Sequence, residues 1–154
     1  MRLPRDAALL VIEGADAAPV AGDAAALLAV WREEDLPRFL IRARPDASGV
    51  DEPDDRALAA SAPDAFDGTG LEAALDSLGA TTLVVCGALP SAVATAREAV
   101  AKGFRVFLVG DACWPAARGD ALASADGKVV DAAAARDAGR RARLRERLKR
   151  QGGA

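Results

Sequence analysis

The sequence predicts an α/β fold, a Rossmann-like wound parallel β-sheet with helices on both faces. Three observations predict it. Segments of strand-forming residues alternate with helical patterns along the chain, as in right-handed βαβ units. Three of the strand-like segments are continuous hydrophobic runs, which is typical of parallel strands covered on both faces. The chain is 51% hydrophobic but only 4% aromatic, so small alanine side chains favour close packing of helices on a sheet.

Six segments are predicted as strands. They comprise four strongly apolar segments, 8–14, 38–43, 81–87 and 104–110, and two weaker ones, 56–60 and 128–131. The segment 56–60 lies in an acidic stretch with three prolines, residues 44–63. Proline and charge are typical of sheet edges and loops, so this strand is expected to be short or missing.

Helical patterns occupy the intervals between the strands. The segment 23–33 begins with Asp23 as its cap, and the segment 91–102 ends with an exposed pair, Glu98 and Lys102, at four-residue spacing. Their predicted inner faces are Leu27, Val30 and Trp31 in the first, and Ala92, Val93, Ala96, Ala99 and Val100 in the second.

The helix predicted at 69–79 has the clearest end signals. Thr69 and Glu72 have the spacing of a capping box, and Gly79 supplies the stop. Its apolar residues recur at helical spacing, namely Leu71, Ala74, Leu75 and Leu78.

A long basic helix is predicted for residues 131–151. Its first half has an alanine face that suits packing on the sheet, formed by Ala134, Ala135, Ala138 and Ala142. Residues 136–150 carry eight positive and two negative side chains, in a chain of net charge −3. Leu144 and Leu148 point to a shifted face. We assign 1–135 to the α/β domain and 136–154 to a basic helix and tail of the same domain.

Two interpretations of this basic end remain open. It is either a solvated, frayed terminus, or an arm that contacts an acidic surface with Leu144 and Leu148 as anchors. The candidate surface is the acidic loop of a neighbouring subunit, with Asp46, Asp51, Glu52, Asp54 and Asp55. The second interpretation predicts a homo-oligomer, a dimer, whose association weakens with salt.

Composition excludes several classes of site. The chain has no histidine, which removes His-containing zinc sites and every Ser-His or Cys-His triad. Cys86 and Cys113 lie in apolar strand contexts and are expected to be buried core residues rather than metal ligands or a disulfide framework. No cofactor and no metal are therefore predicted. The absence of a signal-peptide pattern and of a long apolar run predicts a cytoplasmic protein without a membrane span.

Two binding classes are disfavoured on sequence patterns. The stretch "GADAAPVAG" after the first strand lacks the Gly-x-Gly-x-x-Gly spacing of dinucleotide-binding proteins. Nucleic acid is not expected as a partner, because residues 1–135 are net acidic and the chain has few aromatic side chains for stacking.

Three segments carry a resemblance to a known family. "ALLVIEGAD", "DAFDGTGLEAALDSLGATTLVVCG" and "TAREAVAKGFRVFLVGDAC" resemble the isochorismatase-like cysteine hydrolases, which include isochorismatases, nicotinamidases and other amidohydrolases of small molecules. The similarity extends over roughly residues 7 to 131. Together with the strand–helix alternation it implies the strand order 3-2-1-4-5-6. It also implies an Asp after the first strand, a Lys before the "DAF" segment and a Cys opening the helix after the fourth strand.

The residues at those three positions differ from the family pattern. Glu13 stands at the Asp position, Ala60 at the Lys position, and Ser91 near the Cys position, or Val93 if one counts from Gly87. The resemblance assigns the Cys as nucleophile, with the carboxylate and ammonium setting its protonation. No cysteine stands at either candidate position, and the polar residues that follow the acid in the family are here Gly14, Ala15 and Asp16.

The sequence therefore predicts a catalytically degenerate member of this family that acts by binding or assembly, with a small-molecule ligand in a vestigial pocket. The alternative is an active hydrolase of amides or vinyl ethers that uses Glu13 as its acid or base, since some isochorismatases lack the cysteine and protonate a vinyl ether with the acid alone. Structural roles compete for both residues: Ser91 as a helix N-cap, and Glu13 in a pair with Arg42 or Arg44.

Overall fold

A single sheet of parallel strands forms the centre of the molecule. The computed structural model describes residues 3–4, 6–13, 22–42, 56–59, 65–66, 70–88, 91–114 and 128–152. Within these residues the strands are β1 (Ala8–Ile12), β2 (Arg38–Arg42), β3 (Arg56–Ala59), β4 (Thr82–Ala88), β5 (Arg105–Trp114) and β6 (Lys128–Val130). The order is β3-β2-β1-β4-β5-β6, and every neighbouring pair is parallel. The predicted strand order is confirmed, as is the short edge strand β3.

Helices cover both faces of the sheet, as predicted. They are α1 (Gly22–Glu33), α2 (Leu71–Leu78), α3 (Ser91–Ala101) and α4 (Ala132–Gly152). Successive side chains of β1 point to opposite faces: Leu9 and Val11 pack with α1 and α4, whereas Leu10 and Ile12 pack with α2 and α3. The sheet therefore separates two apolar cores, which explains why β1 and all of β4 after Thr82 are free of polar side chains.

The helices α1 and α4 pack closely because alanine and glycine line their contact. Trp31 of α1 is fully buried, and its indole N–H donates a 3.1 Å hydrogen bond to the carbonyl oxygen of Ala7. A Cβ placed on Gly139 would lie 2.9 Å from the Trp31 ring. The predicted alanine face of α4 is buried at Ala135, Ala138 and Ala142.

Two predicted helix starts were wrong. The helix α1 begins at Gly22, so Asp23 lies in the first turn, where its charge still faces the positive end of the helix dipole. The N-cap of α2 is Gly70, with φ of +73°, and the cap makes no side-chain hydrogen bond. Thr69, the other member of the predicted capping box, lies outside the described residues, and the Glu72 carboxylate pairs with Lys102 just after α3 at 2.9 Å.

The strand β5 extends beyond its predicted end at residue 110. Its register against β4 shifts between Leu108, which pairs with Val85, and Cys113, which pairs with Gly87. The extra residues on β5 form a bulge, and such irregularities are common next to functional sites. The sequence "GDAC" gives no alternation that would predict this continuation.

The basic end of α4 is helical through Gly152, in agreement with the helix predicted over 131–151, and its Arg141, Arg147 and Lys149 side chains are exposed. Two of its arginines lie near carboxylates at the ends of α1: Arg136 is 3.9 Å from Asp23 in the first turn, and Arg147 is 3.9 Å from Glu34, the residue after α1. Leu144 and Leu148 are 52% and 55% exposed, as their shifted positions predicted. Among the described residues, no helix is long and apolar enough to cross a membrane.

Candidate functional site at the carboxyl edge of the sheet

The carboxyl ends of β1 and β4 bring two predicted site residues to the same edge. Ile12 pairs with Gly87 in the parallel register, so Glu13 lies one residue beyond this pair. Ser91 opens α3 three residues after β4 ends. Glu13 is half-buried, and its backbone N–H donates a 2.8 Å hydrogen bond to the carbonyl oxygen of Ile41. Ligands of open parallel sheets bind at this kind of edge.

The other predicted partners fall outside the described residues. Ala60, at the lysine position of the resemblance, comes directly after β3, which is separated from β1 by β2. With strands about 4.8 Å apart, the ends of β3 and β1 are roughly 10 Å from each other. The side chains of Arg42 and Arg44 also lie outside the described part of the structure, so their pairing with Glu13 stays a prediction.

Gly87 allows β4 to approach β1 at this edge more closely than any other residue would permit. Its φ is +128°, and a Cβ built on it would lie 2.2 Å from the carbonyl oxygen of Ile12. Contacts under about 3 Å with backbone atoms leave no room for a side chain. Gly87 therefore fixes the spacing between the strand that carries Glu13 and the turn that leads to Ser91, a role that sequence reasoning missed.

Both cysteines lie inside the sheet, and neither stands at a helix start. Cys86 of β4 and Cys113 of β5 are buried, with no disulfide. Burial raises the pKa of the Cys86 thiol far above its ordinary value, with a further contribution from Cys113. Burial also raises the pKa of Cys113 to about 11, and its thiol donates to the Val109 carbonyl oxygen at 3.4 Å. The prediction that both cysteines are buried core residues is confirmed.

A pair of carboxylates occupies the start of α4. Asp131 accepts a 2.7 Å hydrogen bond from the amide of Ala134, and Asp111, in the bulge of β5, accepts a 2.8 Å hydrogen bond from the amide of Ala132. Each carboxylate satisfies an amide that the helix leaves unpaired. Asp111 therefore has a structural task, which ties the β5 bulge to α4.

The short segment of Ala65 and Phe66, within "DAF", is anchored on α3. The Ala65 amide donates a 3.1 Å hydrogen bond to the hydroxyl of Thr95, which is fully buried. Phe66 stacks on Phe104 with ring centroids 6.0 Å apart, and the Lys102 ammonium lies 5.6 Å from the Phe66 centroid. Thr95 was not singled out in the sequence, because a threonine in an alanine-rich helix gives no sign of a partner 30 residues away.

The donor set of this edge does not suit a metal ion. Within the described residues, no group of three or more Cys, Asp or Glu side chains could hold one. The carboxylates of Asp111 and Asp131 already accept helix amides. What the described edge offers is one half-buried carboxylate beside a helix that begins with a hydroxyl.

Comparison with known proteins gives a family and several structural relatives. The family model described as "Isochorismatase domain" matches residues 49–134. An isochorismatase-family protein from Chromobacterium violaceum is similar in structure with a TM-score of 0.73 and 28% identity, over 92% of this chain and 97% of that one. No curated protein matches the sequence significantly.

Two further solved structures share the fold at lower identity. A cysteine hydrolase from Pseudomonas syringae has a TM-score of 0.75 and 16% identity, over 91% of this chain and 95% of that one. The N-carbamoylsarcosine amidase from Thermoplasma acidophilum has a TM-score of 0.67 and 20% identity, over 82% of this chain and 96% of that one.

Proposed function

The chain belongs to the isochorismatase family, and on that premise we propose that it is a catalytically degenerate member, which binds a small molecule or assembles without cysteine-dependent hydrolysis. The fold is that of isochorismatase-family hydrolases. The proposal concerns the chemistry at the carboxyl edge, where the resemblance assigns Glu13 to the family's acid position and Ser91 approximately to its nucleophile position.

One observation carries this proposal: both thiols of the chain lie within strands rather than at the start of α3. A cysteine nucleophile acts as the thiolate, which forms where the thiol is exposed and its pKa is lowered. Cys86 and Cys113 have raised pKa values, with burial as the main cause. The resemblance puts the hydroxyl of Ser91 approximately where the family has its thiol, and a serine needs a strong adjacent base to act as a nucleophile. The chain contains no histidine to supply it.

The experiment is a hydrolysis assay with small amides and vinyl ethers, on the parent chain and on Cys86→Ala, Cys113→Ala and the double variant. We expect any turnover to be the same in all four proteins, provided that circular dichroism shows a retained fold. Loss of turnover in a folded Cys86→Ala or Cys113→Ala variant would contradict the proposal.

A second candidate function is hydrolysis that depends on Glu13. The observation that favours it is the position of this carboxylate, half-buried at the carboxyl edge, one residue beyond the pair Ile12–Gly87. A carboxyl group there could protonate a vinyl ether carbon without any nucleophilic side chain. This function predicts that Glu13→Gln abolishes vinyl ether turnover, whereas Glu33→Gln, an exposed control at the end of α1, leaves it unchanged.

Assembly is the other mode of action in the proposal. We propose that the end of α4 joins two copies of the chain, with its basic side chains facing the acidic loop around residues 46–55 of the second copy and Leu144 and Leu148 as apolar anchors. Support comes from the exposure of the two leucines and from the opposite charges of the two segments. Because Arg136, Arg141 and Arg147 already pair within the chain, the leucines are expected to contribute more than the arginines.

The test is sedimentation of the full chain and of a Leu144→Gln/Leu148→Gln variant at low and high salt. This variant removes the exposed apolar pair and leaves the buried alanine face intact. A dimer that dissociates on substitution and weakens with salt supports assembly through α4. If neither salt nor the substitution changes the sedimenting mass, the end of α4 faces solvent and the assembly proposal is wrong.

A further inference from the structure

A cleft opens at the amino edge of the sheet, opposite the edge that carries Glu13 and Ser91. Its volume is about 1030 Å³. Its floor is formed where β4 and β5 begin, at Thr82 and Arg105, and one wall is the last part of α4. Small-molecule sites commonly occupy roughly 300–1,000 Å³. The cleft is therefore large enough for a metabolite-sized ligand, and the family site at the carboxyl edge does not account for it.

The charges that line this cleft are mostly positive. Among the described residues that line it, Arg105, Arg145 and Lys149 face one carboxylate, that of Asp6. Within the described residues, no carboxylate lies in ion-pair distance of these three cations. Uncompensated cations around a concave surface concentrate anions from solution.

Two of the cations are held in place by contacts that leave them charged. The Arg105 guanidinium lies 5.0 Å from the centroid of the Phe107 ring, a cation–π contact that limits its freedom. Arg145 donates a hydrogen bond to the Leu3 carbonyl oxygen. A cation that is ordered before binding loses less entropy when a ligand arrives. Thr81 is exposed beside Arg105 and adds a hydroxyl donor near the floor of the cleft.

We propose that this cleft binds a small phosphorylated compound with at least two negative charges. Guanidinium groups match the geometry of phosphate oxygens, and each forms two parallel hydrogen bonds. Because the cations come from two elements, β5 and α4, a ligand with two phosphate groups can present one group to each. Leu78, which is half-buried at the cleft, offers an apolar contact to the part of the ligand beyond its phosphates.

Calorimetric titration at low ionic strength tests the proposal with four probes: inorganic phosphate, pyrophosphate, adenosine and ADP. We expect pyrophosphate to bind at least about tenfold more tightly than phosphate, and ADP at least as tightly as pyrophosphate. Adenosine, which has no phosphate, is expected not to bind. Affinity should fall when salt rises to about 0.15 M, because these exposed charges are screened.

The residues are tested by substitution. Arg105→Gln and Lys149→Gln should each weaken pyrophosphate binding, by about tenfold for the ordered arginine. Asp6→Asn should strengthen it by about two- to fivefold, because it removes the one repulsive charge. Arg141→Gln is the matched control: it removes one charge from the same helix at a residue outside the cleft, paired with Asp137 at 3.0 Å.

The outcomes separate a built site from general attraction of anions. Loss of affinity on Arg105→Gln and Lys149→Gln but not on Arg141→Gln, with unfolding midpoints unchanged, supports the site. Equal weakening by all three substitutions, equal affinity for phosphate and pyrophosphate, or no binding of pyrophosphate at low ionic strength would each overturn the proposal.

Discussion

Replacing Gly87 by alanine should be among the most damaging single changes to this chain. The added Cβ would lie 2.2 Å from the Ile12 carbonyl oxygen and 2.6 Å from the Ile12 nitrogen. These are backbone atoms of a central strand, so they cannot rotate away as the end of a side chain could. The position also has φ of +128°, a conformation that costs an L-residue about 1–3 kcal/mol.

The size of the effect follows from these two contributions. Overpacking in a well-packed core costs about 1–3 kcal/mol, so the sum for Gly87→Ala is roughly 2–6 kcal/mol of unfolding free energy. Gly79→Ala is the matched control, because Gly79 also has positive φ, +69°, but a Cβ there meets nothing within 4 Å. Its expected cost is only the conformational one, about 1–2 kcal/mol.

Urea unfolding followed by circular dichroism measures both variants against the parent chain. Gly87→Ala should lower the unfolding free energy by about 1–3 kcal/mol more than Gly79→Ala does. This difference isolates the contact of residue 87 with β1. If Gly87→Ala fails to fold while Gly79→Ala folds, the same reasoning is supported. Equal destabilisation by the two substitutions would refute the close approach of β4 to β1.

Three further predictions concern contacts around the two edges. Thr95→Val should cost about 1–3 kcal/mol, because it leaves a buried amide without its acceptor, whereas Thr95→Ser keeps the acceptor and should cost less in the same urea assay. Asp111→Ala should cost about 0.5–2 kcal/mol through the lost cap of α4, measured as a shift of the urea midpoint. The hydrogen bond with Glu72, the largest contribution, raises the pKa of Lys102 above 10.5. The stability that this pair adds is therefore fully present below pH 10.5 and is lost as pH rises through the raised pKa. Comparison of the parent with Lys102→Gln across that range checks the sign.

Sequence patterns predicted the layered sheet because the relevant signals are local. Apolar runs such as 81–87 can only be buried between two layers, and the segments between them have helical periodicity. The strand order also needed the family resemblance. Alternation of strands and helices alone does not tell on which side of its predecessor each new strand is added. The placement of Glu13 and Ser91 at one edge followed from that order.

The features that sequence patterns missed depend on contacts between distant segments. Thr95 is buried because the "DAF" segment lies over α3, and the β5 bulge forms because Asp111 reaches α4. At the start of α2, the spacing of Thr69 and Glu72 gave no sign that the Glu72 carboxylate pairs with Lys102 of a neighbouring element. Local propensity is overridden wherever a tertiary partner gives the same group a better hydrogen bond.

The positive φ of Gly87 was equally hidden. A glycine after "LVVC" is expected to end a strand, yet Gly87 lies within β4 and pairs with Ile12 on one side and Cys113 on the other. Only the packing of three strands shows that a side chain has no room there. The amino-edge cleft left no motif in the sequence, because the starts of β4 and β5 and the end of α4, which form it, are far apart along the chain.

Alkylation of the native protein tests most directly the central claim that this member of the family has no reactive cysteine. The parent chain is treated with iodoacetamide near neutral pH, and modification of each cysteine is followed by mass spectrometry, with the urea-unfolded chain as the reference. Because Cys86 and Cys113 are buried with raised pKa values, the account predicts that both react far more slowly in the native protein than in the unfolded chain. A thiol that is modified faster in the native protein than in the unfolded chain would contradict it.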